Sequence, residues 1–65
     1  MFFFRTISKC RRFRLRRKKF YNGGIVWKIE EKFEGRWYTR CGTNQAPYAF
    51  SRWSEFLSLD ESEAQ

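Results

Sequence analysis

The stretch CRRFRLRRKKF, residues 10–20, sets Arg11, Arg12, Arg14, Arg16, Arg17, Lys18 and Lys19 in one run without an acid, interleaved with Phe13, Leu15 and Phe20. A guanidinium is a planar fork of N–H donors that matches a phosphate or the edge of a guanine. The chemistry this run can do is therefore recognition of polyanions. The interleaved apolar residues indicate that the run is anchored to a core, since a purely solvated charge run has no use for them.

Reaction chemistry has far less to build on. The chain has no histidine, so it lacks an ordinary imidazole base or metal ligand. Its two cysteines, Cys10 and Cys41, form no standard zinc site without further ligands. They are expected to be reduced thiols, with a single disulfide as the other option. Glu30 and Glu31 are adjacent, so on a strand they point to opposite faces and cannot act as a dyad. No glycine-rich loop precedes a helix in the phosphate-binding pattern. The chain reads as a non-enzyme with no cofactor and no metal.

At 65 residues the chain is one small domain. Its formal net charge is +7 and is polarised along the sequence. Every charged residue from Arg5 to Lys19 is basic, whereas Asp60, Glu61 and Glu63 close the chain. Such an imbalance repels itself unless an anionic partner offsets it. Aromatic residues make up 22% of the chain while aliphatic ones are scarce, so rings must supply the core. No stretch approaches the roughly 20 apolar residues of a membrane span, and MFFF is too short for a secretory leader. The expected location is the cytoplasm. The acid-free start superficially resembles an organellar transit peptide, but its apolar residues sustain no helical stripe.

The elements that would hold these residues follow from periodicity. In IVWKIEEKF, residues 25–33, Ile25, Trp27, Ile29 and Phe33 fall on alternate positions, the period of a half-buried strand. RWYTRC, residues 36–41, alternates as well. Glu34-Gly35 between them signals a turn. A two-residue loop would pair Lys32 with Trp37 and put Trp37 on the charged side. A three-residue loop, Phe33-Glu34-Gly35 with a G1 bulge, brings Trp37, Thr39 and Cys41 beside Trp27 and Ile29, and is the expectation here. Asn22-Gly23-Gly24 signals a second hairpin back to a strand over 12–21; the alternatives for this run are a helix, since Arg and Lys are good helix formers, and a flexible basic arm. An odd loop there would set Phe13, Leu15 and Tyr21 with Trp27, and leave the stems of Arg17 and Lys19 to snorkel around the edge. Residues 46–59 show the i, i+3/i+4, i+7 row Ala49, Phe50, Trp53, Phe56 and Leu57 of a helix, with Thr43 or Asn44 as its N-cap. Residues 60–65 are expected to fray, because acids oppose the dipole at a helix C-terminus. Residues 1–9 have no assignment; they can add an edge strand or pack Phe2 and Phe4 on the core.

The expected fold class is thus α+β: a three-stranded antiparallel meander with one C-terminal helix packed on one face, over Trp27, Ile29, Trp37 and Cys41. The uncovered face would present Arg12, Arg14, Arg16 and Lys18, then Lys28 and Lys32, then Arg36 and Arg40. Phe20 and Tyr38 stand among them as possible stacking surfaces, and Glu30, close to Arg40, is the only acid. This array suits a nucleic-acid backbone, and two- or three-stranded ribbons also enter the major groove. A second reading is a small modulator docking on an acidic surface of a host nucleic-acid-processing enzyme, with aromatic anchors. A third is attachment to an anionic membrane surface through MFFF and the polybasic run.

The order of three strands and a helix is similar to the small arm-site DNA-binding domains of phage and transposon integrases. The size, basicity and aromatic content are similar to those of small phage and prophage accessory proteins. These are likenesses of topology and composition, so no functional residue carries over. The reading from alternation requires Arg14, Lys28 and Arg40 on one surface, and Trp27 and Trp37 pointing the same way.

Overall fold

A computed structural model describes residues 4–64. Four strands, β1 (Arg5–Lys9), β2 (Phe13–Lys19), β3 (Ile25–Phe33) and β4 (Arg36–Thr43), form an antiparallel meander in sequence order, and α1 (Ala46–Ala64) follows. The α+β class, the antiparallel sheet and the C-terminal helix agree with the sequence. The strand count does not: residues 5–9 pair with β2 as a fourth, edge strand. The sheet thereby departs from the three-strand order behind the likeness to integrase arm-site domains.

The β2–β3 hairpin takes the expected odd loop. Gly23 Nα donates to the Phe20 carbonyl at 3.0 Å, Gly23 adopts φ 86°, and Gly24 N donates to Asn22 Oδ1 at 2.9 Å. The register pairs Leu15 with Ile29 and Arg17 with Trp27, so Phe13, Leu15, Trp27 and Ile29 share a face. That face is the core. Phe13, Leu15 and Ile29 are each about 1% exposed, with Trp27, Ala49 and Trp53 around them. Burying side chains of this size contributes roughly 1.5–3 kcal/mol each.

The β3–β4 hairpin departs from expectation. Phe33 pairs with Arg36, which leaves the two-residue loop Glu34-Gly35, and both residues have positive φ, 51° and 80°. This is the type I′ geometry whose twist matches that of the flanking strands. Lys32 therefore pairs with Trp37. Further along, a bulge at Arg40 inserts one residue between Thr39, opposite Glu30, and Cys41, opposite Ile29. The bulge restores Cys41 and Thr43 to the core face and leaves Trp37 and Thr39 on the other. The expectation that Trp37 and Thr39 lie beside Trp27 fails because the loop has two residues instead of three, which exchanges the faces of β4 up to the bulge.

The helix crosses β2, β3 and β4. Phe56 packs on Phe13 with ring centroids 4.9 Å apart, and Phe50 meets Trp27 edge-on at 5.1 Å. Gln45, not Thr43 or Asn44, stands at the N-cap position: its carbonyl accepts from Ala49 N at 3.0 Å. Thr43 Oγ1 instead accepts from Gln45 N at 3.1 Å, shaping the turn just before the helix. At the other end the helix runs past Leu59 to Ala64 instead of fraying. Asp60 is buried beside Arg11, at 4.0 Å, and Glu63 pairs with Arg12. The acids that oppose the dipole are thus offset by the β1–β2 turn, a tertiary contact the local sequence cannot announce.

Candidate nucleic-acid interface

The face without the helix is built by alternation on β1, β2 and β3 and by the displaced register of β4. Arg14, Arg16 and Lys18 of β2 stand opposite Glu30, Lys28 and Val26 of β3. Lys9 of β1 pairs with Arg14, and Lys32 of β3 pairs with Trp37 of β4. Its bases are therefore Lys9, Arg14, Arg16, Lys18, Lys28 and Lys32, and among the described residues its one acid is Glu30. Six bases against one acid place five of the chain's net +7 charges here, while the other eight bases share the molecule with six acids.

Glu30 is the hub of this face. It is 5% exposed, and its carboxylate accepts from Arg14 Nε at 2.5 Å and lies 3.1 Å from Lys28 Nζ and 3.6 Å from Arg16 Nη1. Burial pushes its pKa up, but hydrogen bonds from Arg14 and Lys28 and their charges outweigh that and hold the carboxyl below its ordinary range. Arg16 Nη2 also donates to the Phe4 carbonyl at 2.8 Å, tying the start of β1 to the cluster.

Two half-buried rings flank the hub. The Arg14 guanidinium lies 4.1 Å from the Trp37 ring centroid, with Lys9 Nζ at 5.9 Å. Lys28 Nζ lies 4.1 Å from the Phe4 centroid, with Lys18 at 5.7 Å and Arg16 at 5.8 Å. The bases that grip Glu30 thus also touch the rings. Phe4 joins this face rather than the core; Phe2 lies outside the described residues.

The residues expected from sequence divide into two groups. Arg14, Arg16, Lys18, Lys28 and Lys32 share the uncovered face as expected, and Phe20 stands at its margin, 5.2 Å from Lys18 Nζ. Arg12, Arg36, Arg40 and Tyr38 do not join them. Arg12 turns to Glu31 and Glu63, and Arg40 Nε donates to Glu31 Oε1 at 2.8 Å, not to Glu30. Tyr38 pairs with Glu31 and Arg36 with Phe33, both on the helix side. Trp27 and Trp37 point to opposite faces and Arg40 leaves the array, so the condition set by simple alternation is not met for β4. Lys9, Phe4 and Trp37 are residues of this face that sequence reasoning missed. A strict two-residue reading of Glu34-Gly35 was the signal for Trp37; the pairing of β1 had none.

Glu31, 8% exposed, is the counterpart of Glu30 on the helix side. Burial raises its pKa, and hydrogen bonds from Arg12 and Arg40 more than reverse this. Cys10 and Cys41 are free thiols. Among the described residues no helix is long and apolar enough to cross a membrane. No protein family, curated protein or solved structure matches this chain.

Proposed function

We propose that this protein is a small nucleic-acid-binding accessory protein that engages phosphates with the uncovered sheet face. The observation that carries this reading is the concentration of five of the net +7 charges on the face that the helix leaves open. The basic residues there, Lys9, Arg14, Arg16, Lys18, Lys28 and Lys32, span all three strands from β1 to β3. Surface lysines that merely protect a sheet edge need not extend across its centre. Neutralising phosphates releases condensed counterions, so affinity falls as salt rises. Fluorescence anisotropy with labelled DNA and RNA across a salt series tests this. The expected log K against log salt plot is linear, with a slope no steeper than about −5.4 for six bases on duplex DNA. Absence of binding at low salt, or binding indifferent to salt, overturns the reading.

A second reading draws on the helix side. Phe33, Tyr38, Tyr48, Phe50 and Leu59 are all large, apolar and between 42% and 55% exposed there. They would anchor a protein partner, with Arg36 between Phe33 and Tyr38 meeting an acidic surface on it. Pull-down after nuclease treatment separates the readings: a stoichiometric protein that survives nuclease favours the second, and loss of all retained material favours the first.

A further inference from the structure

Resting on the nucleic-acid reading, we infer that the open face takes single-stranded nucleic acid, with unpaired bases stacking at Trp37 and Phe4 and phosphates meeting Arg14, Arg16 and Lys28. Three features lead there. The first is width. Strands sit about 4.8 Å apart, so four of them span about 14 Å between outer backbones before side chains are counted. The major groove is only about 12 Å wide. A two-stranded ribbon enters it; a four-stranded sheet backed by a helix lies against a duplex and reaches only its phosphates.

The second feature is the rings. A salt-bridge face aimed only at duplex phosphates has no use for aromatic groups. Here Trp37 and Phe4 are half-buried within the array, each with a cation against it at 4.1 Å. Bases in a duplex are already stacked, whereas an unpaired base stacks on an aromatic ring or on an arginine plane such as that of Arg14.

The third is the hub. Arg14 links Glu30 to Trp37, while Lys28 and Arg16 link Glu30 to Phe4. One buried carboxylate therefore fixes the cations relative to both rings before any ligand arrives. This produces alternating ring, cation cluster and ring, which is the base–phosphate–base sequence of a strand laid across the sheet.

The test compares a labelled 12-nucleotide dT strand and a 12-base-pair duplex of mixed sequence at the same moderate salt, followed by F4A and W37A. The wild-type protein is expected to prefer the single strand at least tenfold. Each ring variant is expected to lose about 5- to 150-fold in single-strand affinity and a clearly smaller factor on the duplex. Far-UV circular dichroism checks the fold of each variant. If W37A does not fold, F4A and the wild-type preference still decide. Salt-sensitive binding that favours the duplex, or single-strand affinity unmoved in folded ring variants, overturns this inference and leaves the nucleic-acid reading standing. Failure to bind either probe overturns that reading itself.

Discussion

Trp27 and Trp37 sit on neighbouring strands of one hairpin yet face opposite sides of the sheet. Trp27 lies in the core against Phe50, and Trp37 lies among Arg14 and Lys9 on the open face. The two-residue Glu34-Gly35 loop separates them, and the bulge at Arg40 acts only beyond Thr39. The loop sends Trp37 outward, and the bulge returns Cys41 inward.

The turn itself is improvable. Glu34 holds φ 51°, a left-handed conformation that costs a side chain such as Glu about 1–2 kcal/mol and asparagine less. E34N creates the Asn-Gly pair preferred in type I′ turns. It is expected to stabilise the fold by about 0.5–1 kcal/mol, raising the thermal midpoint by about 2–8 °C. A midpoint that falls would mean that the hairpin does not use this turn.

Arg12 and Lys32 should separate stability from binding. Arg12 joins Glu31 on the sheet to Glu63 near the helix end, while Lys32 is exposed on the open face. R12A strips a mostly buried carboxylate of one partner and is expected to cost about 1–3 kcal/mol, with nucleic-acid affinity at 25 °C changed by less than about twofold. K32A is expected to do the reverse: weaker binding, a salt slope shallower by about 0.7–0.9, and an unchanged melt. Thermal denaturation and anisotropy on both variants read this directly.

E30Q opposes charge to geometry. The substitution raises net charge by one, so long-range attraction alone would tighten binding to a polyanion. Yet it removes the carboxylate that positions Arg14, Arg16 and Lys28. A positioning loss worth about 1 kcal/mol corresponds to roughly fivefold weaker binding, and that is the expected result at moderate salt. Tighter binding by a folded E30Q would show that the cluster needs no preorganisation.

Acid should unfold the domain through both carboxylates. The folded-state pKa values of Glu30 and Glu31 are lowered, despite burial, by hydrogen bonds from their basic neighbours. The stability they contribute is therefore fully present above the unfolded glutamate value of about 4.3. It is lost as pH falls through the lower, folded values. Thermal midpoints measured from pH 6 downward should stay level to about pH 5 and then drop. In E30Q and E31Q the midpoint should start lower and respond less to acid.

Much of this fold is legible in the sequence because alternation is local. Ile25 to Phe33 declares a strand and Asn22-Gly23-Gly24 declares a hairpin, and with the odd loop that the fold adopts they put Phe13, Leu15, Trp27 and Ile29 in one core. The same pattern carries Arg14, Arg16, Lys18, Lys28 and Lys32 to the other face. The row Ala49, Trp53, Phe56 and Leu57 likewise declares the helix.

What the tertiary structure decided are the features set by contacts between distant residues. The two-residue Glu34-Gly35 loop set Arg36, Trp37 and Tyr38 on the faces opposite to those a three-residue loop assigns, and the bulge at Arg40, which no residue type demands, then returned Cys41 to the core side. β1 carries only Ile7 as a large apolar residue and exists because β2 offers an edge to pair with. The acidic end of α1 stays helical because Arg11 and Arg12 reach it from the β1–β2 turn. Side-chain period is a property of a segment, but register, edge pairing and charge compensation are properties of pairs of segments, and only the folded chain brings those pairs together.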